Sequence, residues 1–107
     1  MTGKVVILVT CGSREEAETI SRTLVERKLV ACVNIVASVQ SIFRWQGKVC
    51  DESETLLIMK SLQDRVEAVI AAVKERHSYE VPEVIALPIV AGSADYLRWV
   101  EEEASGA

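Results

Sequence analysis

The stretch from Val30 to Lys60, VACVNIVASVQSIFRWQGKVCDESETLLIMK, decides the fold of this chain. From Val30 to Arg44 it has no proline or glycine, and from Ala31 to Val39 apolar residues alternate with more polar ones, a pattern typical of a β-strand. The run stops at Trp45-Gln46-Gly47-Lys48, a tight turn in which we expect Gly47 to take a positive φ. A second strand follows from about Val49 to Lys60. The stretch therefore predicts one long β-hairpin.

This hairpin is too long for the rest of the chain to cover. Strands of roughly 12–15 residues span about 40–50 Å, whereas the predicted helices of about 15 residues span only about 22 Å. Ile42 and Phe43 break the alternation, which predicts a bulge or bend near Gln40. Exposed strand edges and an apolar tip favour pairing with further copies of the chain in a closed oligomer. The alternative is a bent hairpin that folds back on its own domain.

The flanking segments complete the pattern. Val5 to Val9 predicts a central strand, and a capping box of Ser13 and Glu16 begins a helix from about Arg14 to Lys28. After the hairpin, Ser61 is predicted to cap a second helix that ends near Arg76-His77. A strand from Glu83 to Ile89 and a short helix capped by Ser93 follow.

The order is β-α-β-β-α-β with a further helix. It predicts an α+β fold of the ferredoxin-like kind, with an antiparallel sheet, an extended hairpin and a C-terminal helix. We expect one domain over residues 1–107, of which about 102–107 form a solvated tail.

Composition narrows the functional classes. The chain carries 16 Asp and Glu against 12 Lys and Arg, which argues against a nucleic-acid partner. No apolar run is long enough for a signal peptide or a membrane span. Three cysteines without a Cys-x-x-Cys pair argue against a disulfide framework or a structural zinc site, so we expect reduced thiols in the cytoplasm.

Two residues are the candidate metal ligands, His77 and Cys11. His77 is the only histidine, and it precedes Tyr79, Glu80 and Glu83 on a predicted loop. Cys11 lies between the first strand and the first helix, where a thiol can act as a soft-metal ligand or a nucleophile.

Three segments, taken in order, resemble the CutA family of divalent-cation-tolerance proteins. They are VACVNI (30–35), SIFRWQGK (41–48) and HSYEVPEVIALPI (77–89), followed by Gly92 and Tyr96-Leu97-Arg98-Trp99. The resemblance covers the chain from about Val5 to Val100. It implies a ferredoxin-like fold of the PII-like superfamily and a homotrimer in which the long hairpins pair between subunits.

The resemblance also implies a link to metal tolerance, with copper bound in some members. The copper pattern of the family has a cysteine late in the first strand and a His-His-Pro-Tyr stretch after the second helix. Here Val9 stands at the strand position, and the stretch reads Arg76-His77-Ser78-Tyr79. Only His77 and Tyr79 match. We expect copper or another divalent cation to be held either by three copies of His77 in the trimer or by His77 together with Cys11 from a neighbouring subunit.

Three functions follow as hypotheses. The first is a non-catalytic homotrimer that takes part in the response to divalent metals; as an alternative, such a PII-like trimer could bind a small-molecule signal. The second is an enzyme with a Cys11–His77 site between subunits. The third, an RNA-binding module of the same strand order, is disfavoured because Val5 to Val9 and Val49 to Met59 contain no aromatic residue for base stacking.

Overall fold

Four antiparallel strands form one sheet. The structure, a computed structural model, describes residues 1–105. The strands are β1 (Lys4–Cys11), β2 (Cys32–Trp45), β3 (Lys48–Leu62) and β4 (Val84–Pro88). Their order across the sheet is β2-β3-β1-β4. The predicted ferredoxin-like α+β arrangement is confirmed.

Helices α1 (Arg14–Glu26) and α2 (Val66–Arg76) cover one face of the sheet, and α3 (Ala94–Glu103) closes the chain. Burial along β1 alternates residue by residue, because successive side chains of a strand point to opposite faces. The side chains under the two helices form the main core. They include Val5, Ile7, Val9, Cys11, Ala17, Ile20, Leu24, Leu57, Met59, Val69 and Val73.

The hairpin of β2 and β3 extends past the other strands. β1 pairs with β3 only from Leu62 to Thr55, so within residues 1–105 the strand segments from Val39 to Glu54 pair only with each other. A bulge lies between Val36 and Val39, where Ser38 takes a φ of 63°, two residues before the predicted position. At the tip, Gln46 and Gly47 both take positive φ, the signature of a type I′ turn. The predicted projection of the hairpin is confirmed.

Helix α1 ends two residues earlier than predicted, in a Schellman motif. The amide of Leu29 donates to the carbonyl of Leu24, and the amide of Lys28 donates to that of Val25. Lys28 itself has a φ of 58°, the left-handed conformation that glycine usually occupies at this position.

Replacement of Lys28 by glycine should therefore stabilise the protein. We expect the free energy of unfolding to rise by about 1 kcal/mol, because a side chain in the left-handed region costs about that much. Urea unfolding of the wild type and of Lys28→Gly measures the difference. Lys28→Ala is the matched control, since it removes the charge but keeps the strain, and it should not reproduce the gain.

The start of the second helix differs from the prediction. Ser61 is the penultimate residue of β3 rather than a helix cap, and its buried hydroxyl donates to the carbonyl of Leu29 at 2.6 Å. A 3₁₀ turn from Gln63 to Arg65 leads into α2, and no side chain caps either start. Strand β3 continues through Ser61 because the side chain of Ser61 lies on the buried face of the sheet. This tertiary effect overrides the capping propensity of serine.

The predicted solvated tail from about residue 102 also differs in part. Glu102 and Glu103 belong to α3, and Ala104 is fully buried in a small second cluster with Ala31, Leu62 and Val100. The guanidinium of Arg65 donates to the carbonyl oxygens of Ala104 and Ser105. Residues 106 and 107, for which the tail was also predicted, lie outside the described residues.

Candidate functional site

Two of the predicted site residues meet within a single chain. Cys11 ends β1, His77 directly follows α2, and Glu16 lies in the first turn of α1. One donor atom from each of the three side chains lies within 4.8 Å of the other two. We call these three residues the Cys11–Glu16–His77 cluster. Within residues 1–105 no other group of three or more His, Cys, Asp and Glu side chains converges in this way.

Both ring nitrogens of His77 are engaged. The amide N–H of Tyr79 donates to Nδ1 at 3.0 Å, so Nδ1 carries no proton in this arrangement. The other nitrogen, Nε2, then donates to the carbonyl oxygen of Thr10 at 2.7 Å. The side chain of His77 is fully buried, and the two hydrogen bonds fix the orientation of its ring. A carbonyl that holds Nε2–H is also the usual outer partner of a metal-binding histidine, which leaves Nδ1 as the atom that could bind.

Glu16 connects α1 to the turn after α2. Its amide donates to the hydroxyl of Ser13, so the predicted cap is present. Its carboxylate, however, accepts from the amide and the hydroxyl of Ser78, at 3.0 and 3.3 Å. One carboxylate oxygen also lies 3.6 Å from Nδ1 of His77. Only half of the capping box forms, because the carboxylate binds a distant segment instead of its own helix end.

The Cys11 thiol is held in its protonated form. Burial is the main cause, followed by the negative charges of Glu16 and Glu54, and together they raise the pKa of Cys11 from 9.0 to about 11. The side chain is fully buried. A metal ion that binds this sulfur must therefore displace a proton.

Tyr79 ties the same turn to the hairpin. Its hydroxyl donates to Glu54 at 2.7 Å, and it lies so close to Gly12 that a Cβ there would meet the hydroxyl at 3.0 Å. Burial, and next this hydrogen bond, raise the pKa of Tyr79 well above its ordinary value. Glu54 is only 8 % exposed, and among the described residues it has neither a second hydrogen-bond donor nor an ion-pair partner.

A cavity of about 770 Å³ opens between the projecting part of the hairpin and the turn after α2. None of the three residues of the Cys11–Glu16–His77 cluster lines it, although Thr10 and Tyr79, which are hydrogen-bonded to His77, do. Its lining is acidic and aromatic, without lysine or arginine. The lining residues are Thr10, Gln40, Ser41, Ile42, Phe43, Trp45, Gln46, Cys50, Glu52, Glu54, Tyr79, Glu80, Val81 and Glu83.

The residues that the sequence singled out lie at two different places in the structure. Cys11 and His77 come together without a neighbouring subunit, whereas Glu80 and Glu83 line the cavity. Val9, at the position of the family's strand cysteine, is a fully buried core residue. Sequence reasoning assigned Glu16 only a capping role and gave Glu54 no role at all. Their side-chain partners are more than 20 residues away in sequence, so no local pattern could reveal them.

A four-stranded antiparallel sheet with two helices on one face and a projecting hairpin defines the class: a ferredoxin-like α+β domain, consistent with the PII-like superfamily. The family model described as CutA1 divalent ion tolerance protein matches residues 5–103. The chain belongs to this family.

Relatives and solved structures agree with that assignment. The chain is 46 % identical over 97 residues to the divalent-cation tolerance protein CutA of Thermus thermophilus, a match that covers 91 % of this chain and 94 % of the relative. A solved structure of the divalent cation tolerance protein from Thermus thermophilus superposes with a TM-score of 0.91 at 45 % identity, covering 94 % of this chain and 97 % of that one. CutA from Xylella fastidiosa gives 0.92 at 36 % identity, covering 95 % and 98 %.

Several eukaryotic relatives are longer. The chloroplastic CutA of Arabidopsis thaliana is 45 % identical over 97 residues, which are 91 % of this chain but 53 % of that protein. The chain thus spans about half the length of the plant relative. The described helices are too short and too polar to serve as membrane spans.

Proposed function

We propose that this protein is a homotrimeric, non-catalytic component of the response to divalent metal ions, and that its metal site is the Cys11–Glu16–His77 cluster. The convergence of these three side chains is the observation that carries the proposal. The names of the relatives, divalent-cation tolerance proteins, point to the same role.

The donor types fit a borderline or soft divalent metal. Thiolate and imidazole are the ligands that copper and zinc prefer, and a carboxylate can complete a third position. The imidazole is already oriented by the Thr10 carbonyl, so binding requires only that Nδ1 exchange the Tyr79 amide for the metal and that Cys11 lose its proton. Copper is the metal we favour, because thiolate and imidazole together suit it best.

Metal binding should depend on Cys11 and on pH. We expect Cys11→Ala and His77→Ala each to weaken Cu²⁺ binding at least about tenfold, since each removes one of three ligands. Wild-type affinity should rise about tenfold per pH unit through the neutral range, because one thiol proton is released. Anaerobic isothermal titration at several pH values measures both effects. Cys50→Ser, outside the cluster, is the control; equal affinity in all three variants would refute the site.

The open face of the sheet supports self-association. On the side away from α1 and α2, apolar side chains cover the central strands. Leu8 of β1 lies opposite Ile58 of β3 and Ile85 of β4, Val6 of β1 lies opposite Leu87 of β4, and Leu56 of β3 lies opposite Thr10 of β1. The side chains at 85 and 87 are about half exposed. Together with the unpaired outer edge of β2, this face resembles half of a larger core.

We expect a particle of about 35 kDa in solution, three times the chain mass of 11.8 kDa. Ile58→Glu places a charge in the centre of the open face and should shift the protein to monomer, because a buried unpaired charge costs several kcal/mol. Light scattering after size exclusion measures the mass. Val25→Glu, an equally apolar but exposed position on α1, should leave the trimer intact. A wild-type mass near 12 kDa would contradict the proposal.

The geometry also supports the absence of catalysis. A nucleophilic cysteine needs a thiolate and a neighbouring base with a free nitrogen. Here the Cys11 pKa is raised and both His77 nitrogens are in hydrogen bonds.

A cytoplasmic location is proposed because all three cysteines are free thiols. Detection of the protein in a secreted or periplasmic fraction would contradict it.

A small-molecule signal is the second candidate for what this protein binds. The observation in its favour is the cavity beside the hairpin, whose volume lies in the usual range for ligand sites.

A further inference from the structure

We propose that a metal ion bound at Nδ1 of His77 releases Tyr79 from Glu54, so that the metal site controls how firmly the base of the hairpin is held. This inference rests on the metal site proposed above and adds its regulation. The contacts that carry it run within a single chain, from the Cys11–Glu16–His77 cluster through Tyr79 to strand β3.

The first step is a competition for one lone pair. Nδ1 of His77 already accepts a hydrogen bond from the amide of Tyr79, at 3.0 Å. A bond between a metal ion and an imidazole nitrogen is about 2 Å long and uses the same lone pair. The metal and the Tyr79 amide therefore cannot occupy Nδ1 together, and one of the two groups must give way.

The histidine ring is not free to turn away from the metal or from the amide. Its side chain is fully buried, and its Nε2 is hydrogen-bonded to the carbonyl of Thr10 on β1 at 2.7 Å. Rotation of the ring would break this bond and disturb the packing between the sheet and the helices. The turn that carries Tyr79 is therefore the part that moves.

That turn is held through side chains alone. Within residues 1–105, no backbone–backbone hydrogen bond involves residues 78–82. Three side-chain acceptors hold it: Nδ1 of His77 for the Tyr79 amide, the Glu16 carboxylate for Ser78, and the Glu54 carboxylate for the Tyr79 hydroxyl. The first two acceptors belong to proposed metal ligands, so a metal ion competes with the turn for both of them.

Tyr79 carries the movement to the hairpin. Its hydroxyl donates to Glu54 at 2.7 Å and lies against Gly12, where a Cβ would be only 3.0 Å away. Because the phenol ring is rigid, the backbone of Tyr79 cannot leave Nδ1 and keep its hydroxyl in this narrow place. Glu54 directly precedes Thr55, the last residue of β3 that pairs with β1. Loss of the bond therefore loosens β3 where the hairpin leaves the sheet.

The first test is a variant that should bind metal more tightly than the wild type. A hydrogen bond that exists only in the metal-free protein opposes binding, so its removal raises the affinity. We expect Tyr79→Phe to bind Cu²⁺ about three- to tenfold more tightly in anaerobic titration, the range for one lost hydrogen bond. Tyr96→Phe removes the hydroxyl of the other tyrosine, which is outside the cluster, and should leave the affinity unchanged.

A second variant acts on the same hydrogen bond from the other side. Gly12→Ala keeps the Tyr79 hydroxyl and all three proposed ligands, but its Cβ presses on the hydroxyl. The φ of Gly12 is outside the left-handed region, so alanine fits its backbone. We expect Gly12→Ala to raise the Cu²⁺ affinity as well, by a smaller factor than Tyr79→Phe does. It decides the question if Tyr79→Phe fails to fold.

Hydrogen exchange followed by mass spectrometry reports the movement itself. The amides of Ser78 and Tyr79 lose their acceptors when the metal binds, so peptides that cover residues 77–83 should exchange faster in Cu²⁺-saturated wild type than in metal-free protein. In metal-free Tyr79→Phe, peptides that cover residues 50–56 should exchange faster than in metal-free wild type, because Glu54 has lost its tie to the turn.

Two results would overturn the inference while the wild type still binds Cu²⁺. One is an affinity in Tyr79→Phe and Gly12→Ala that is equal to or weaker than that of the wild type. The other is slower exchange of residues 77–83 on Cu²⁺ binding. The metal proposal fails on different results, namely no Cu²⁺ binding by the wild type or undiminished binding by Cys11→Ala and His77→Ala.

Discussion

Replacement of Ile7 by alanine should lower the free energy of unfolding by about 4 kcal/mol. Ile7 is fully buried at the centre of β1, and its neighbours across the sheet are Met59 on β3 and Ala86 on β4. Removal of its buried carbon atoms forfeits their transfer energy and leaves a cavity that a central strand cannot close. Urea unfolding measures the loss, and the chain concentration is held fixed because the stability of the proposed trimer would depend on it.

The matched control is an exposed apolar residue on helix α1. Val25 is 40 % exposed on α1, so Val25→Ala removes apolar atoms that are largely in water. We expect a change of under about 1 kcal/mol there. If Ile7→Ala and Val25→Ala cost the same, the position of Ile7 between the sheet and the helices would be wrong.

The second large effect concerns the reactivity of Cys11. At pH 8 a thiol with a pKa of about 11 has about 100-fold less thiolate than one with the ordinary value of 9.0, and only the thiolate is alkylated. We therefore expect iodoacetamide to modify Cys11 at least about 100-fold more slowly than the same residue in urea-unfolded protein. Peptide mass spectrometry over time follows each cysteine separately. The partly exposed Cys50 is the internal control, and its rate should change far less on unfolding.

The raised Cys11 pKa also sets a direction for stability against pH. Below the unfolded-state pKa near 9, both the folded and the unfolded chain hold the thiol proton, so the full contribution of Cys11 to the free energy of unfolding is present. Above it the unfolded chain loses the proton while the folded chain keeps it, so stability falls as pH rises from about 9 to 11. Cys11→Ala should flatten this part of the profile. A wild type whose unfolding midpoint is constant from about pH 8 to 10.5 would show that the thiol is not shielded.

A Cys11 that is inert at neutral pH bears on function as well. A thiolate nucleophile would react quickly, whereas a thiol that loses its proton only to a metal would not. Fast alkylation of Cys11 in the folded protein would favour the enzyme hypothesis over the proposed metal response.

The sequence by itself determined the order of elements and the hairpin. The alternation from Ala31 to Val39 and the Gln46-Gly47 turn are local signals, and periodicity and turn chemistry depend on neighbouring residues alone. The bulge was placed within two residues for the same reason, since one extra residue shifts the alternation where it occurs. The end of α1 was misplaced because the left-handed position fell on Lys28, which carries no glycine signal.

Tertiary structure alone decided the rest. Ser61 has the chemistry of a helix cap, but its strand face is buried, so its hydroxyl satisfies the carbonyl of Leu29 instead. Cys11 and His77 were predicted as metal ligands, but only the packing of the turn after α2 against the end of β1 brought them together with Glu16. In the sequence Glu54 is one of several neighbouring acidic residues, and only the fold shows that it is buried beside Tyr79. Contacts between residues far apart in the chain depend on how elements pack, and no local pattern encodes that packing.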